Sequence, residues 1–231
     1  MQLKEAGYQE NKNTIENIHL SINKGELVGL IGPNGAGKST IIKSILGLIN
    51  YVDGEVTIHE NKRYAYIPEH PTYYEELTLW EHIQLAKTVN QIESDDYFSR
   101  AEELLELFRL TKARHQLPSS FSKGMQQKLM IIIAILIQPM LYIVDEPFIG
   151  LDPKAIKDFL KILEEERKRG AAILMCTHVL DTAEKTCDRF YLINNGQIIA
   201  QGTLQQLQDV SVAEGSLIDC FYTLMEESDD E

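Results

Sequence analysis

The chain has few cysteines, an excess of acidic over basic residues and no long apolar stretch, and each feature argues against a class of protein. Three cysteines among 231 residues, Cys176, Cys187 and Cys220, match no metal or redox spacing, which favours a reducing compartment. Lys and Arg number 22 against 35 Asp and Glu, and a net charge of −13 argues against a nucleic-acid partner. The longest apolar run, 129–137, is too short to span a bilayer. We therefore expect a chain that is soluble by itself and reaches a membrane only through a partner.

The composition is that of an ordinary globular protein, with 44% hydrophobic and 25% charged residues. We expect one domain over residues 1–231. Alternating strand and helix patterns predict an α/β fold with a mostly parallel sheet. The first 25 residues are typical of short antiparallel strands, residues of about 70–138 have the spacing of a helical insertion, and about 226–231 form an acidic tail that we expect to be solvated.

A glycine-rich segment at 32–40 follows the apolar run 26–31 and precedes a helical pattern. This context predicts a phosphate site, because glycines let backbone N–H groups converge on phosphate oxygens and the helix N-terminus favours an anion. Lys38 would add a positive charge for the β- and γ-phosphates, and Ser39 a hydroxyl for Mg²⁺. The residues expected to contact ATP here are Gly32, Pro33, Asn34, Gly35, Ala36, Gly37, Lys38, Ser39 and Thr40.

Two carboxylates end a second apolar run, 141–144. A buried strand in an open α/β sheet presents such residues at its carboxyl end, where these sheets bind ligands. Asp145 is then expected to hold Mg²⁺ through water, and Glu146 to orient or deprotonate the attacking water. Two acids at an exposed strand end are the structural alternative.

These motifs, together with 121–125, 149–152 and Thr177-His178, resemble the nucleotide-binding subunit of an ABC transporter from about residue 3 to residue 208. The resemblance implies a P-loop NTPase of ABC type, with a mostly parallel sheet core, an N-terminal antiparallel β part and a helical subdomain. It implies ATP and Mg²⁺ as ligands and ATP hydrolysis as the reaction. Lys38, Glu146 and the switch histidine His178 become the expected catalytic residues.

The resemblance also assigns residues to the nucleotide and to a second copy of the chain. Tyr8 would stack on adenine, with an ordinary core or surface tyrosine as the alternative. The segment from Ser122 through Lys123 to Gly124 would contact the γ-phosphate held by the opposite subunit, although Ser122 can equally be a helix cap. Asp152 would couple the two sites across the dimer, cap a helix, or do both.

The chain departs from the family pattern at Glu69 and, in the 121–125 segment, at Phe121, Lys123 and Met125. Glu69 stands where a glutamine usually contacts Mg²⁺ or the attacking water, and its carboxylate can still reach the metal. Lys123 replaces a glycine, so that its charge either attracts the opposite subunit's phosphate or points to solvent. We expect function to persist with Glu69 at this position.

Local sequences at 66–79, 121–128 and 142–152 resemble the Ecs-type ATPases of Gram-positive bacteria. This implies an ATPase that forms a homodimer on ATP binding and drives an integral membrane subunit, docked near 73–85, most simply for export. The chain would then be cytoplasmic and peripheral on the inner face of the membrane.

Three alternatives remain at this point: an ABC-type ATPase in DNA repair or on the ribosome, a GTPase, and a nucleotide-binding scaffold without turnover.

Overall fold

The computed structural model describes residues 2–9, 12–58, 63–212 and 215–229 and divides the chain into two units. The terminal unit comprises residues 1–62 and 172–231, and the central unit comprises residues 63–171. The strands are β1 (Gln2–Gln9), β2 (Lys12–His19), β3 (Leu27–Ile31), β4 (Tyr51–Glu55), β5 (Tyr64–Ile67), β6 (Leu141–Asp145), β7 (Ala172–Cys176), β8 (Arg189–Asn194) and β9 (Gln197–Gly202). The helices are α1 (Lys38–Ile45), α2 (Leu79–Val89), α3 (Tyr97–Leu107), α4 (Lys123–Ile137), α5 (Pro153–Lys168), α6 (Leu180–Thr186), α7 (Leu204–Ser211) and α8 (Leu217–Asp229).

The terminal unit contains two sets of paired strands. One is the antiparallel sheet β2-β1-β4, which confirms the predicted antiparallel β part at the N-terminus. In the other, β7, β3 and β8 are parallel neighbours and β9 returns antiparallel to β8. Every residue of β3 and of β7 is buried, as expected for strands of a parallel sheet covered on both faces.

The central unit joins the parallel pair β5 and β6 to the helices α2 to α5. α4 packs against β5, α2 and α3, and Leu129, Ile131 and Ile135 on it are fully inaccessible to solvent. α2 begins with a capping box, in which the Thr78 hydroxyl accepts from the Glu81 N–H and the Glu81 carboxylate accepts from the Thr78 N–H. Most of the helical insertion predicted at about 70–138 is therefore helical in the structure.

One buried carboxylate connects several elements of the central unit. Glu166 on α5 is 3% exposed and accepts from Arg100 on α3 at 3.0 Å, from Arg169 and from the Tyr142 hydroxyl on β6 at 3.0 Å. Burial, with the Glu166 charge beside it, raises the pKa of Tyr142 well above its usual value. A charge buried in this way is stable only with such partners, so the cluster fixes how these elements meet.

Three local features that the sequence predicts are present: a helix start at Asp152-Pro153, a helix start at Ser122 and a hairpin turn at Asn195-Gly196. Asp152 caps α5 and Pro153 is its first residue, Ser122 caps α4, and the turn at 195–196 joins β8 to β9 as a hairpin.

Two local predictions that the sequence favours, a strand over 17–22 and a turn at 53–54, were wrong. The strand expected at 17–22 ends at His19, where its partner β1 begins, and Ser21 bonds instead to the side chains of Tyr191 and Arg189. The turn expected at 53–54 lies inside β4, because Asp53 and Gly54 pair with β1 across a register shift.

The C-terminal helices were not predicted from the sequence. α8 extends to Asp229, across most of the segment expected to be an acidic tail, and residues 230–231 lie outside the described part of the chain. Leu217, Cys220, Phe221 and Leu224 pack into the core cluster of the terminal unit. Their spacing is that of an amphipathic helix and was available in the sequence.

Candidate functional site

The phosphate loop of the terminal unit connects β3 to α1 and needs glycine for steric reasons. Gly37, at the N-cap of α1, has φ of 108°, and a Cβ there would lie 2.6 Å from Cγ2 of Ile15. A Cβ on Gly32 would clash with the backbone oxygen of Ile193. One side of the loop is therefore packed against the terminal unit. Because the N-cap residue of α1 is a glycine, it has no side chain that could accept hydrogen bonds from the first N–H groups of the helix.

Lys38 folds over the loop from which it projects. Its Nζ donates to the carbonyl oxygens of Gly32, at 2.6 Å, and Pro33, at 2.9 Å, and the residue is 7% exposed. An ammonium group has three donors, so these two bonds leave one for a phosphate oxygen. Asn34 and Ser39 on the same loop are exposed and accessible to a ligand.

His178 lies at the same sheet edge as the phosphate loop. β7 and β3 are parallel neighbours with Leu30 opposite Cys176, so the residues that follow both strands emerge side by side. Thr177 is buried, and its hydroxyl accepts from the Val179 N–H at 3.1 Å, which fixes the turn that holds His178. The histidine side chain itself is exposed.

The central unit has an equivalent edge at the ends of β5 and β6. Ile67 is opposite Val144, so Asp145, the last residue of β6, and Glu69, two residues beyond β5, lie at the ends of adjacent parallel strands. Asp145 is 4% exposed, and one of its oxygens lies 3.5 Å from the hydroxyl of Tyr66 on β5.

Glu146 departs from ordinary backbone conformation directly after β6. It is 6% exposed and has φ of 45°, the left-handed region that residues other than glycine occupy rarely. Strain of this kind concentrates at functional sites, where the surrounding structure enforces it.

The start of α4 presents a helix N-terminus with a small polar cap. The Ser122 hydroxyl accepts from the Met125 N–H at 3.3 Å, and both Ser122 and Lys123 are exposed. A helix N-terminus with an exposed hydroxyl and an adjacent ammonium has the chemistry of an anion site.

Asp152 has two partners in its own unit. One carboxylate oxygen accepts from the Ala155 N–H at 2.9 Å as the cap of α5, and the other accepts from Lys128 Nζ at 2.9 Å. The hydrogen bond from Lys128, helped by that from Ala155, lowers the pKa of Asp152 to about 2. The cap role is thus present, whereas the contact across a dimer stays a prediction.

The proposed magnesium ligands, Ser39, Asp145 and Glu69, supply only oxygen atoms, which suit a hard cation. Within residues 2–9, 12–58, 63–212 and 215–229, no three His, Cys, Asp or Glu side chains group closely enough to hold a metal ion by themselves. Mg²⁺ in ATPases is typically held by one or two protein groups together with substrate phosphates, so this donor set fits it. Tyr8 lies in β1, but its side chain is outside the described part of the structure, and its contact with adenine stays a prediction.

Comparison with known proteins decides the family. A sequence model of the ABC transporter family matches residues 15–149. An ABC transporter ATP-binding protein of Bacillus subtilis, YthP, is 55% identical over 95% of this chain and 93% of its own length. This chain belongs to the ATP-binding family of ABC transporters.

Two further comparisons agree in sequence and in fold. The ABC-type transporter ATP-binding protein EcsA of B. subtilis is 40% identical over 97% of this chain and 94% of its own, which confirms the predicted resemblance to the Ecs type. A solved structure of an ABC transporter ATP-binding subunit aligns with a TM-score of 0.91 and 40% identity, covering 97% of this chain and 98% of its own. The predicted fold class is therefore confirmed, and the chain is an ABC-type ATPase.

Sequence reasoning did not single out Lys128 or Gln126 on α4. Gln126 Nε2 donates to the Tyr73 hydroxyl and to the Pro118 carbonyl, each at 3.0 Å, and Lys128 pairs with Asp152. A signal for Lys128 existed, since it follows Gly124 by four residues and lies on the same helix face.

Proposed function

We propose that two copies of this chain bind ATP and Mg²⁺ between them and that hydrolysis drives a separate integral membrane subunit, most simply for export. The observation that carries the proposal is the convergence of the phosphate loop and His178 at one edge of adjacent parallel strands. The buried carboxylates after β6 supply the groups that hydrolysis requires.

The residues of the terminal unit bind the triphosphate. Backbone N–H groups of the loop and of α1 donate hydrogen bonds to the phosphate oxygens, and Lys38 compensates the charge on the β- and γ-phosphates. His178 contacts the γ-phosphate from the next strand. Ser39, Asp145 and Glu69 would hold Mg²⁺, and the ion would supply positive charge beside the phosphate oxygens.

Glu146 acts on the attacking water. Its carboxylate accepts the water's proton or orders the water for in-line attack on the γ-phosphorus, a contribution of about 10²–10⁴ in rate for general bases. Glu146 comes directly after β6, with the φ of 45° noted above, and only 6% of it is exposed.

A second copy would complete the site. Ser122, Lys123 and Gly124 at the start of α4 would contact the γ-phosphate bound by the opposite subunit, and Asp152 would contact that subunit's site. The exposure of Ser122 and Lys123 at a helix N-terminus supports this, since an incoming anion can reach their donors. ATP then closes the dimer and hydrolysis reopens it.

The membrane partner would dock on the central unit near residues 73–85. Tyr74 there is 62% exposed, and Trp80 carries the Arg114 guanidinium 3.9 Å from its ring centroid. Amphipathic aromatic surface of this kind is typical of protein contacts.

No helix in the described ranges is long and apolar enough to cross a bilayer. Association with the inner face of the membrane would follow from the partner, and export follows the resemblance to Ecs-type ATPases.

Steady-state release of phosphate from ATP tests the enzymatic part, with Lys38→Ala as the inactive control. We expect Mg²⁺-dependent turnover in the unmodified protein and its loss in the variant, because the variant lacks the charge on the β- and γ-phosphates. Equal turnover in both would contradict the assignment of the site. Binding of ATP without turnover in the unmodified protein would favour the scaffold alternative.

A further inference from the structure

One face of α4 contacts the loop that follows Glu146. Gly124 and Lys128 are four residues apart on this helix, so both lie on the same side, about 6 Å from each other along the helix axis. Opposite them runs the segment 150–152, which leads from the catalytic acids into α5. The two segments meet at two separate points.

The first point is a backbone-to-backbone contact that only glycine permits. A Cβ on Gly124 would clash with the carbonyl oxygen of Gly150, and a Cβ on Gly150 would lie 3.3 Å from the Gly124 nitrogen. Gly150 also has φ of 77°, which disfavours other residues. The start of α4 therefore lies against the backbone of the loop, with no room for a Cβ on Gly124.

The second point is the ion pair between Lys128 and Asp152, with Nζ and Oδ2 2.9 Å apart. The Lys128 side chain is only 12% exposed, so its stem packs along the protein while its ammonium reaches the carboxylate. The other oxygen of Asp152 caps α5, so one carboxylate joins the start of α5 to the second turn of α4. Arg109 adds a weaker attraction to the same carboxylate.

We propose that Lys128 is a positioning residue for ATP hydrolysis, which holds the Ser122–Gly124 segment in a fixed orientation relative to the loop that carries Glu146. The inference rests on the proposed function. A single contact at Gly124 would allow α4 to pivot, whereas a second contact one turn along the helix fixes its direction. Within one copy, the Ser122–Gly124 segment contacts the γ-phosphate bound by the opposite copy, and Glu146 serves the site of its own copy. The two contacts make these two segments move as one body.

The test compares Lys128→Met, which keeps the aliphatic stem and removes the charge, with Lys128→Arg, which keeps the charge. Lys161→Met is the matched control, because Lys161 loses an ion pair with Glu165 in the same unit but is 78% exposed. We expect kcat of Lys128→Met to fall about tenfold, the effect of misplacing a contact group by a fraction of an ångström. KM for ATP is expected to stay within about twofold, since the phosphate loop is unchanged.

Lys128→Arg is expected to keep most of the turnover, and Lys161→Met all of it. Amide hydrogen exchange provides a readout that does not depend on activity: residues 122–126 and 149–153 should exchange faster in Lys128→Met, and those of the phosphate loop should not. Unchanged kcat or unchanged exchange in Lys128→Met, or an equal loss in Lys128→Arg, would overturn the role of Lys128. Absence of turnover in the unmodified protein would overturn the proposed function and the role together.

Discussion

The candidate site residues of the terminal unit and those of the central unit differ in kind. In the terminal unit the binding groups belong mainly to the backbone, and Gly32 and Gly37 occupy positions where a side chain would clash. In the central unit the groups are side chains, above all the buried carboxylates Asp145 and Glu146. We expect the backbone groups of the terminal unit to lose their function when atoms are added to the loop glycines. We expect the carboxylates of the central unit to lose theirs when the charge is removed.

This difference gives each unit its own diagnostic substitution. Adding a methyl group to a loop glycine should weaken binding of ATP without removing any charge. Changing a carboxylate to an amide should leave binding intact and stop the chemistry. The first two turns of α4 are sensitive to both kinds of substitution, because Gly124 has no room for a side chain and Lys128 forms an ion pair with Asp152.

The largest effect is expected for Gly37→Ala. The new methyl would lie 2.6 Å from Ile15, so the loop must move and its N–H groups lose their common direction. We expect ATP affinity to fall by at least about tenfold, corresponding to about 1.4 kcal/mol or more. Titration of the protein with a fluorescent ATP analogue measures this.

Gly47→Ala is the matched control for that substitution. Gly47 also has a positive φ, 68°, but nothing lies within 4 Å of the position of its Cβ. The control therefore carries backbone strain without a clash. An equal loss of ATP affinity in both variants would show that strain alone, and not the shape of the loop, explains the result.

Gly124→Ala is expected to act on turnover and not on binding by the isolated chain. The methyl group would clash with the Gly150 oxygen, which separates α4 from the loop after Glu146. We expect kcat to fall about fivefold or more while ATP affinity is unchanged. Gly170→Ala, at a positive-φ glycine of the same unit with nothing within 4 Å of its Cβ position, should leave kcat unchanged. A lower ATP affinity in Gly124→Ala would contradict the separation of roles between the units.

The sequence was sufficient where a function depends on a local pattern. Residues 32–40 carry their own turn and helix start, and Asp152 with Pro153 specifies the cap of α5. It was insufficient where contacts join distant segments. The packing of Gly124 on Gly150 and the pairing of Ser21 with Tyr191 and Arg189 form only when the chain folds, and no local signal encodes them. α8 is a different case, since its apolar spacing was present but its acidic composition favoured a tail.

The two capping boxes offer a smaller effect that compares the units in stability. Thr78 with Glu81 begins α2 in the central unit, and Thr203 with Gln206 begins α7 in the terminal unit. Thr78→Ala and Thr203→Ala are each expected to cost about 1 kcal/mol of unfolding free energy. Urea denaturation followed by circular dichroism measures this. A second transition that appears in only one variant would show that the units unfold separately, against two-state behaviour.

The smallest effect concerns the charge of Asp152. Its pKa in the folded chain is lowered to about 2 from 3.8, chiefly by Lys128, so the ion pair stabilises the fold fully above about pH 4 and is lost as the pH falls through 2. Asp152→Asn keeps a good helix cap and removes the charge. We expect it to be less stable than the unmodified protein by under about 1 kcal/mol at neutral pH, because the side chain is half exposed, with the difference vanishing near pH 2. A constant difference across this range would contradict the assignment.

The central claim is that two copies close around ATP, with the start of α4 of one copy on the γ-phosphate bound by the other. Glu146→Gln should retain ATP because the water is no longer activated, and light scattering with saturating ATP and Mg²⁺ measures its mass. The account predicts twice the chain mass of 26.3 kDa with ATP, the chain mass without it, and no dimer when Lys38→Ala is added. A Glu146→Gln protein that binds ATP and stays at the mass of one chain would contradict it.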